Sequence, residues 1–213
     1  MKKQDVIEIL SYPGLVPVIR LESGEKLPKL LEALLAGGIR AAELTMTIPG
    51  AITLLAENRK RFGDSMLLGM GTVTDRGMAQ EAIEAGAQFL VSPFPVPEVI
   101  AAAKESDVVM IAGAFTPYEV FSADKAGADF VKVFPLNLAG AGYLKDLKGP
   151  LPHVKFFPTG GITLKNIPDV LKFACGCGVG GALVRRDWVE AENWQGITEL
   201  AREYVSAAVN AKA

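Results

Sequence analysis

One histidine and two cysteines are all the imidazole and thiol this 213-residue chain contains. His153 stands alone. Cys175 and Cys177 could ligate zinc only if two carboxylates, or His153, completed the tetrahedron, so no metal and no other cofactor is expected. One intervening residue is a poor spacing for a bridge, and two cysteines build no disulfide scaffold. A reduced, cytoplasmic setting fits. Charge of one sign is also lacking: Lys plus Arg is 22, Asp plus Glu is 24, and the net charge is -2. That leaves no basic field for nucleic acid. The basic clusters Lys2-Lys3 and Arg59-Lys60-Arg61 read as solvated surface, and Arg185-Arg186 more readily faces solvent than a pocket. Long apolar runs are missing, which excludes a membrane span. The charged stretch Met1 to Leu10 lacks a signal-peptide core. Aromatics are only 8% of the chain. Phe130, Phe134, Phe156 and Phe157 are expected to pack the core or line a pocket.

What is present is apolar and periodic. Half the residues are hydrophobic, enough for one sizeable core. Short apolar runs predict eight strands: Leu15 to Leu21, Ala41 to Thr45, Met66 to Val73, Phe89 to Pro93, Val108 to Phe115, Phe130 to Pro135, Val154 to Thr159 and Ala174 to Gly180. Helical patterns lie between them, near Lys26 to Leu35, Ala51 to Lys60, Arg76 to Ala85, Glu98 to Lys104, Tyr118 to Lys125, Ala141 to Leu147, Leu164 to Leu171 and Trp194 to Ala211. A further helix from about Lys3 to Leu10 precedes the first strand. Ala36-Gly37-Gly38, Ala85-Gly86-Ala87 and Ala126-Gly127-Ala128 form a weak repeat in which glycine caps a helix before the next strand. No linker interrupts the alternation. The expected fold is therefore a single (β/α)₈ TIM barrel over residues 1–213 with an additional N-terminal helix. An open doubly wound sheet would need a phosphate loop after its first strand, and Arg20-Leu21-Glu22-Ser23-Gly24 is a poor one.

Lys132 is the residue that stands out. It sits in Phe130-Val131-Lys132-Val133-Phe134-Pro135, and side-chain alternation puts it on one face with Phe130 and Phe134. Burial disfavours a charged amine, and a neutral amine attacks carbonyl carbon. The plainer alternative is a strand-end lysine that reaches solvent. In a barrel, chemistry gathers at the C-terminal strand ends. Those ends carry Arg20, Glu43 with Thr45, Gly69-Met70-Gly71-Thr72, Ser92-Pro93, Lys132, Thr159-Gly160-Gly161 and Gly178-Val179-Gly180-Gly181. Glu43 could pair with Lys132 as a buried ion pair, or as the acid and base that iminium chemistry needs. Glycine pairs after the last two strands suit a phosphate held by backbone N–H groups. They would equally suit crowded turns.

Taken in order, these segments resemble the 2-keto-3-deoxy-6-phosphogluconate / 2-keto-4-hydroxyglutarate (KDPG/KHG) aldolase family. The resemblance runs from about residue 5 to 205. It rests on Leu15-Val16-Pro17-Val18-Ile19-Arg20, Glu43-Leu44-Thr45, Gly69-Met70-Gly71-Thr72-Val73, Val91-Ser92-Pro93, Val131-Lys132-Val133-Phe134-Pro135 and Phe157-Pro158-Thr159-Gly160-Gly161-Ile162. It implies a metal-independent class I aldolase, usually a homotrimer, in Entner–Doudoroff metabolism. By that resemblance Lys132 forms the Schiff base and Glu43 is the general acid/base. Arg20, Thr45, Thr47, Thr72, Pro93 and Phe134 line the keto-acid pocket. Thr159, Gly160, Gly161, Gly180 and Gly181 hold the phosphate. The expected partners are a keto-deoxy sugar acid phosphate, pyruvate and an aldehyde, with neither nucleic acid nor membrane. Thr47 departs from the family pattern, since many members carry arginine there, and at Gly181 only a backbone N–H is on offer. A sugar-phosphate isomerase or epimerase using Lys132 and Glu43 without a covalent intermediate is the alternative.

Overall fold

The first six strands lie side by side in the order in which they follow one another in the chain. The protein is described by a computed structural model covering residues 1–213. Its strands are β1 (Leu15–Ile19), β2 (Ala41–Thr45), β3 (Leu67–Gly71), β4 (Phe89–Val91), β5 (Val109–Ala114), β6 (Phe130–Val133) and β7 (Cys177–Val179). All pair in parallel, in the order β6-β5-β4-β3-β2-β1-β7. This consecutive order is not that of a doubly wound sheet, whose strand order reverses at a switch point.

The helices are α1 (Lys3–Ser11), α2 (Leu27–Ala36), α3 (Ala51–Phe62), α4 (Arg76–Glu84), α5 (Pro97–Glu105), α6 (Pro117–Ala126), α7 (Ala141–Lys148), α8 (Ile167–Leu171), α9 (Arg186–Glu190) and α10 (Trp194–Asn210). A 3₁₀ turn covers Leu136–Leu138. The short helix α9 and this turn have no counterpart in the sequence expectation. The glycine repeat does: Gly38, Gly86 and Gly127 all take positive φ, between 92° and 101°.

Seven strands form where eight were expected. The segment 154–159 enters no ladder and makes only two isolated parallel bridges, Val131 to Phe156 and Thr159 to Gly178. Its backbone nevertheless bonds both edges of the sheet. On the β6 side, Val131 N–H donates to Lys155 O (2.9 Å), while Phe157 and Thr159 N–H donate to the carbonyls of Val131 and Val133 (2.8 and 3.0 Å). On the β7 side, Gly178 N–H donates to Pro158 O (2.9 Å). Pro158 has no N–H to return, which limits the pairing. The sheet is thus a curled, parallel seven-stranded one with a poorly paired stave across its two edges.

Alternation along the strands makes two cores. Outward residues such as Leu44, Leu68, Met70, Leu90 and Val133 pack under the helices. Inward residues Val16, Ala41, Leu67, Phe89, Val109, Phe130 and Phe157 form a separate cluster. Val6 and Leu10 of α1 join that inner cluster, so α1 lies across the N-terminal end of the strands as a floor. Burying each of the larger of these side chains contributes about 1.5–3 kcal/mol. At the far end of the chain, the Lys212 ammonium donates to the carbonyls of Ser11 and Cys175. Burial pushes its pKa down.

Candidate active site

Above the apolar floor the inward positions turn polar. Lys132 on β6 is 4% exposed and Glu43 on β2 is 3% exposed. Nζ of Lys132 lies 3.7 Å from Oε1 of Glu43. That is an ionic contact but too long for a hydrogen bond. Nζ also sits 5.4 Å from the centre of the Phe134 ring. Glu43 fits only because its neighbour strand is bare. Register pairs Glu43 with Gly69 and Thr45 with Gly71, and a Cβ on Gly71 would overlap the Glu43 carboxylate. The cleared space leaves the carboxylate underused, for Glu43 Oε1 accepts no hydrogen bond from the protein. Thr159 Oγ1 is also buried without a partner. A buried polar atom left unpaired costs about 1–3 kcal/mol, and such cost is tolerated where a ligand completes the bonding.

Other residues expected from the sequence lie on or just after the neighbouring strands. Thr45 is fully buried and shares the inward face with Glu43. Thr72 follows β3 with φ of 59°, a left-handed conformation that a β-branched residue adopts only under strain. Pro93 follows β4. Its carbonyl region packs so closely on Gly113 of β5 that no Cβ would fit there. Buried Ser92 helps hold this rim by accepting from Gly113 N–H at 3.2 Å.

Arg20 directly follows β1. It is exposed and borders a cavity of about 360 Å³ with Ser23, Lys26, Val184, Arg186 and Val189. Arg186 is engaged there by Glu22 and Glu190, both at 2.6 Å. Lys26 is engaged by Glu192 at 3.2 Å. Arg20 is the cation of the three with no carboxylate partner. This cavity adjoins the turn that starts at Gly180, whose carbonyl accepts from Leu183 and Val184 N–H. Arg185 points elsewhere, over the Trp188 ring at 4.3 Å.

Gly160 and Gly161 take φ of 102° and 68°, which only glycine enters without penalty. Asn137 of the 3₁₀ turn backs them: a Cβ on Gly161 would sit 2.6 Å from the Asn137 Cβ. Sequence reading missed Asn137. Its one clue is its place two residues after Pro135, at the end of the lysine strand. Gly180 and Gly181 have open space where side chains would be, so their backbone is accessible to an anion.

No three His, Cys, Asp or Glu side chains converge as a metal site. Cys177 is buried, which pushes its thiol up to about 12 and leaves it inert at neutral pH. No helix is long and apolar enough to cross a membrane.

The arrangement matches known proteins along its length. A family model described as KDPG and KHG aldolase matches residues 6–200. The chain is 35% identical over 208 residues to a 2-dehydro-3-deoxy-phosphogluconate aldolase from Dickeya dadantii, covering 97% of each. It is 34% identical over 208 residues to the KHG/KDPG aldolase of Escherichia coli K12, again covering 97% of each. Among solved structures, the KDPG aldolase of Legionella pneumophila with pyruvate captured as a covalent carbinolamine superimposes with a TM-score of 0.86. That match has 34% identity and covers 92% of this chain and 96% of that one.

Proposed function

The chain belongs to the KDPG and KHG aldolase family, and we propose that it cleaves 2-keto-3-deoxy-6-phosphogluconate reversibly to pyruvate and glyceraldehyde 3-phosphate. Cleavage of 4-hydroxy-2-ketoglutarate to pyruvate and glyoxylate follows the same chemistry. The observation that carries the reading is the buried contact between Lys132 and Glu43 at 3.7 Å, with a carboxylate oxygen left free for a substrate proton.

Lys132 attacks the C2 carbonyl as the neutral amine, giving a carbinolamine that loses water to a protonated Schiff base. Glu43 takes the proton of the C4 hydroxyl. The C3–C4 bond breaks, its electron pair flows into the iminium as an enamine, and the aldehyde departs. The enamine then gains a proton at C3, and water returns to C2 to release pyruvate and free Lys132. Thr72, Pro93 and Phe134 wall the keto-acid end. Gly160 and Gly161, with Gly180, Gly181 and the Thr159 hydroxyl, receive the phosphate. Arg20, facing the cavity beside Gly180, adds positive charge at that distal end.

The segment 154–159 closes the ring as an eighth stave, making the sheet a (β/α)₈ barrel. The molecule works as a homotrimer in the cytoplasm. Exposed Phe94, Tyr118, Phe121 and Leu138 supply apolar surface for subunits to cover, and the free thiols suit a reducing compartment.

Borohydride reduction with pyruvate, read as intact mass, tests the mechanism. Wild type gains one reduced pyruvate, Lys132→Ala gains none and loses turnover at least about 1,000-fold. A wild type that forms no adduct would overturn it in favour of a non-covalent isomerase.

A further inference from the structure

Two threonine hydroxyls at the end of β2 have their protons assigned by geometry. Thr45 is fully buried, and its Oγ1 lies 3.0 Å from the carbonyl oxygen of Ile19. A carbonyl only accepts, so Thr45 gives that bond its one proton. Thr45 Oγ1 also lies 2.7 Å from Thr47 Oγ1. With the Thr45 proton already committed, the proton in this second bond belongs to Thr47. The relay therefore runs in one direction, from the Thr47 hydroxyl to Thr45 and on to Ile19.

The relay starts just beyond the C-terminal end of β2. Thr45 shares the inward face with Glu43 two residues before it. Thr47 is exposed beyond it and borders a cavity of about 350 Å³ with Met46, Ile48 and the first residues of α3. What Thr47 presents to an incoming molecule is lone pairs alone. Arg20, one residue beyond the Ile19–Leu44 pair that ends the β1–β2 register, faces the other cavity. No side-chain cation borders the cavity that Thr47 faces.

We propose that Thr47 is a specificity-determining residue that accepts a hydrogen bond from a substrate hydroxyl and gives none to a substrate carboxylate. A carboxylate brought to Thr47 meets oxygen against oxygen, unless the relay breaks and strands a buried acceptor. A hydroxyl donates without disturbing anything. The site is thereby tuned to polyhydroxylated keto acids, and the pyruvate carboxylate is held elsewhere, by the Thr72 side of the mouth. This inference rests on the aldolase reading above.

Thr47→Val keeps the shape and removes the acceptor, and Thr47→Ser restores it. Two quantities are measured on each: the pyruvate concentration giving half-maximal borohydride trapping, and kcat/KM for cleavage of the phosphorylated sugar acid. In T47V, half-saturating pyruvate stays within about 2-fold of wild type while kcat/KM falls about 10-fold, the size of one hydrogen bond. T47S recovers most of the loss. A T47V protein whose pyruvate requirement rises about 10-fold would overturn the inference, since Thr47 would then be donating to the carboxylate. Unchanged kcat/KM would overturn it equally. Absence of any adduct in wild type would remove the Schiff-base reading and this inference with it.

Discussion

A single methyl group tests how closely the reactive pair is fitted. The Glu43 carboxylate occupies the space that a side chain at position 71 would take, and Glu43 and Lys132 are both nearly inaccessible. Gly71→Ala is expected to push the carboxylate off its place. Overpacking of this kind costs about 1–3 kcal/mol of stability, and a displaced acid/base costs about 100-fold in turnover. Steady-state kinetics beside thermal denaturation check both, and normal turnover in a folded G71A protein would remove Glu43 from its role. Lys132 and Glu43 were legible in the sequence because each is a charge inside an apolar run. The function of Gly71 was not legible, since it depends on which side chain of the neighbouring strand reaches diagonally across to it. The left-handed Thr72 has no local signature at all. Arg20 was legible as a strand-end residue; the cavity it borders beside α9 was not, since that helix is too short to announce itself in a hydrophobic pattern.

Among the elements, α6 shows how firmly local chemistry can define a boundary. Thr116 caps it by accepting from Glu119 N–H at 3.3 Å, and Glu119 accepts in return from the N–H groups of Thr116 (2.7 Å) and Phe115 (2.9 Å). These backbone donors, Thr116 first, hold the Glu119 carboxyl below its ordinary value. A depressed carboxyl contributes stability that is present above its unfolded pKa and disappears as pH falls through the folded one. Thr116→Ala should cost about 1 kcal/mol at neutral pH. Glu119→Gln should be less stable than wild type at neutral pH, and the gap should close in acid, as urea titrations across pH would record. A constant gap would separate Glu119 from the acid sensitivity. The helices were legible to within a few residues because apolar periodicity and glycine stops agree. The seventh expected strand was not, because an apolar run says nothing about ladder pairing once Pro158 has removed a donor.

At the scale of the molecule, the two ends of the chain meet beneath the sheet. Lys212 reaches from beyond α10 to the carbonyls of Ser11 and Cys175, tying the last helix to the floor that α1 builds. Lys212→Met keeps the stem and removes the donors. Two carbonyls lose their partner at about 1–3 kcal/mol, which for a chain of this size lowers the Tm by about 2–12 °C. Differential scanning calorimetry reads the shift, and an unchanged Tm would show that the tie contributes nothing. Single-domain organisation was expected from the unbroken alternation; this long-range tie was not, since nothing near Lys212 in the sequence marks it as buried.

The floor has a consequence for the order of events. Val6 and Leu10 of α1 pack into the inner cluster and close the N-terminal end of the strands, which leaves the C-terminal end for traffic. On the aldolase reading, whatever is bonded to Lys132 sits deepest and whatever carries the phosphate sits outermost. The aldehyde is therefore first out and pyruvate last. In the reverse direction pyruvate must arrive first, queuing ahead of its partner as in a blind alley.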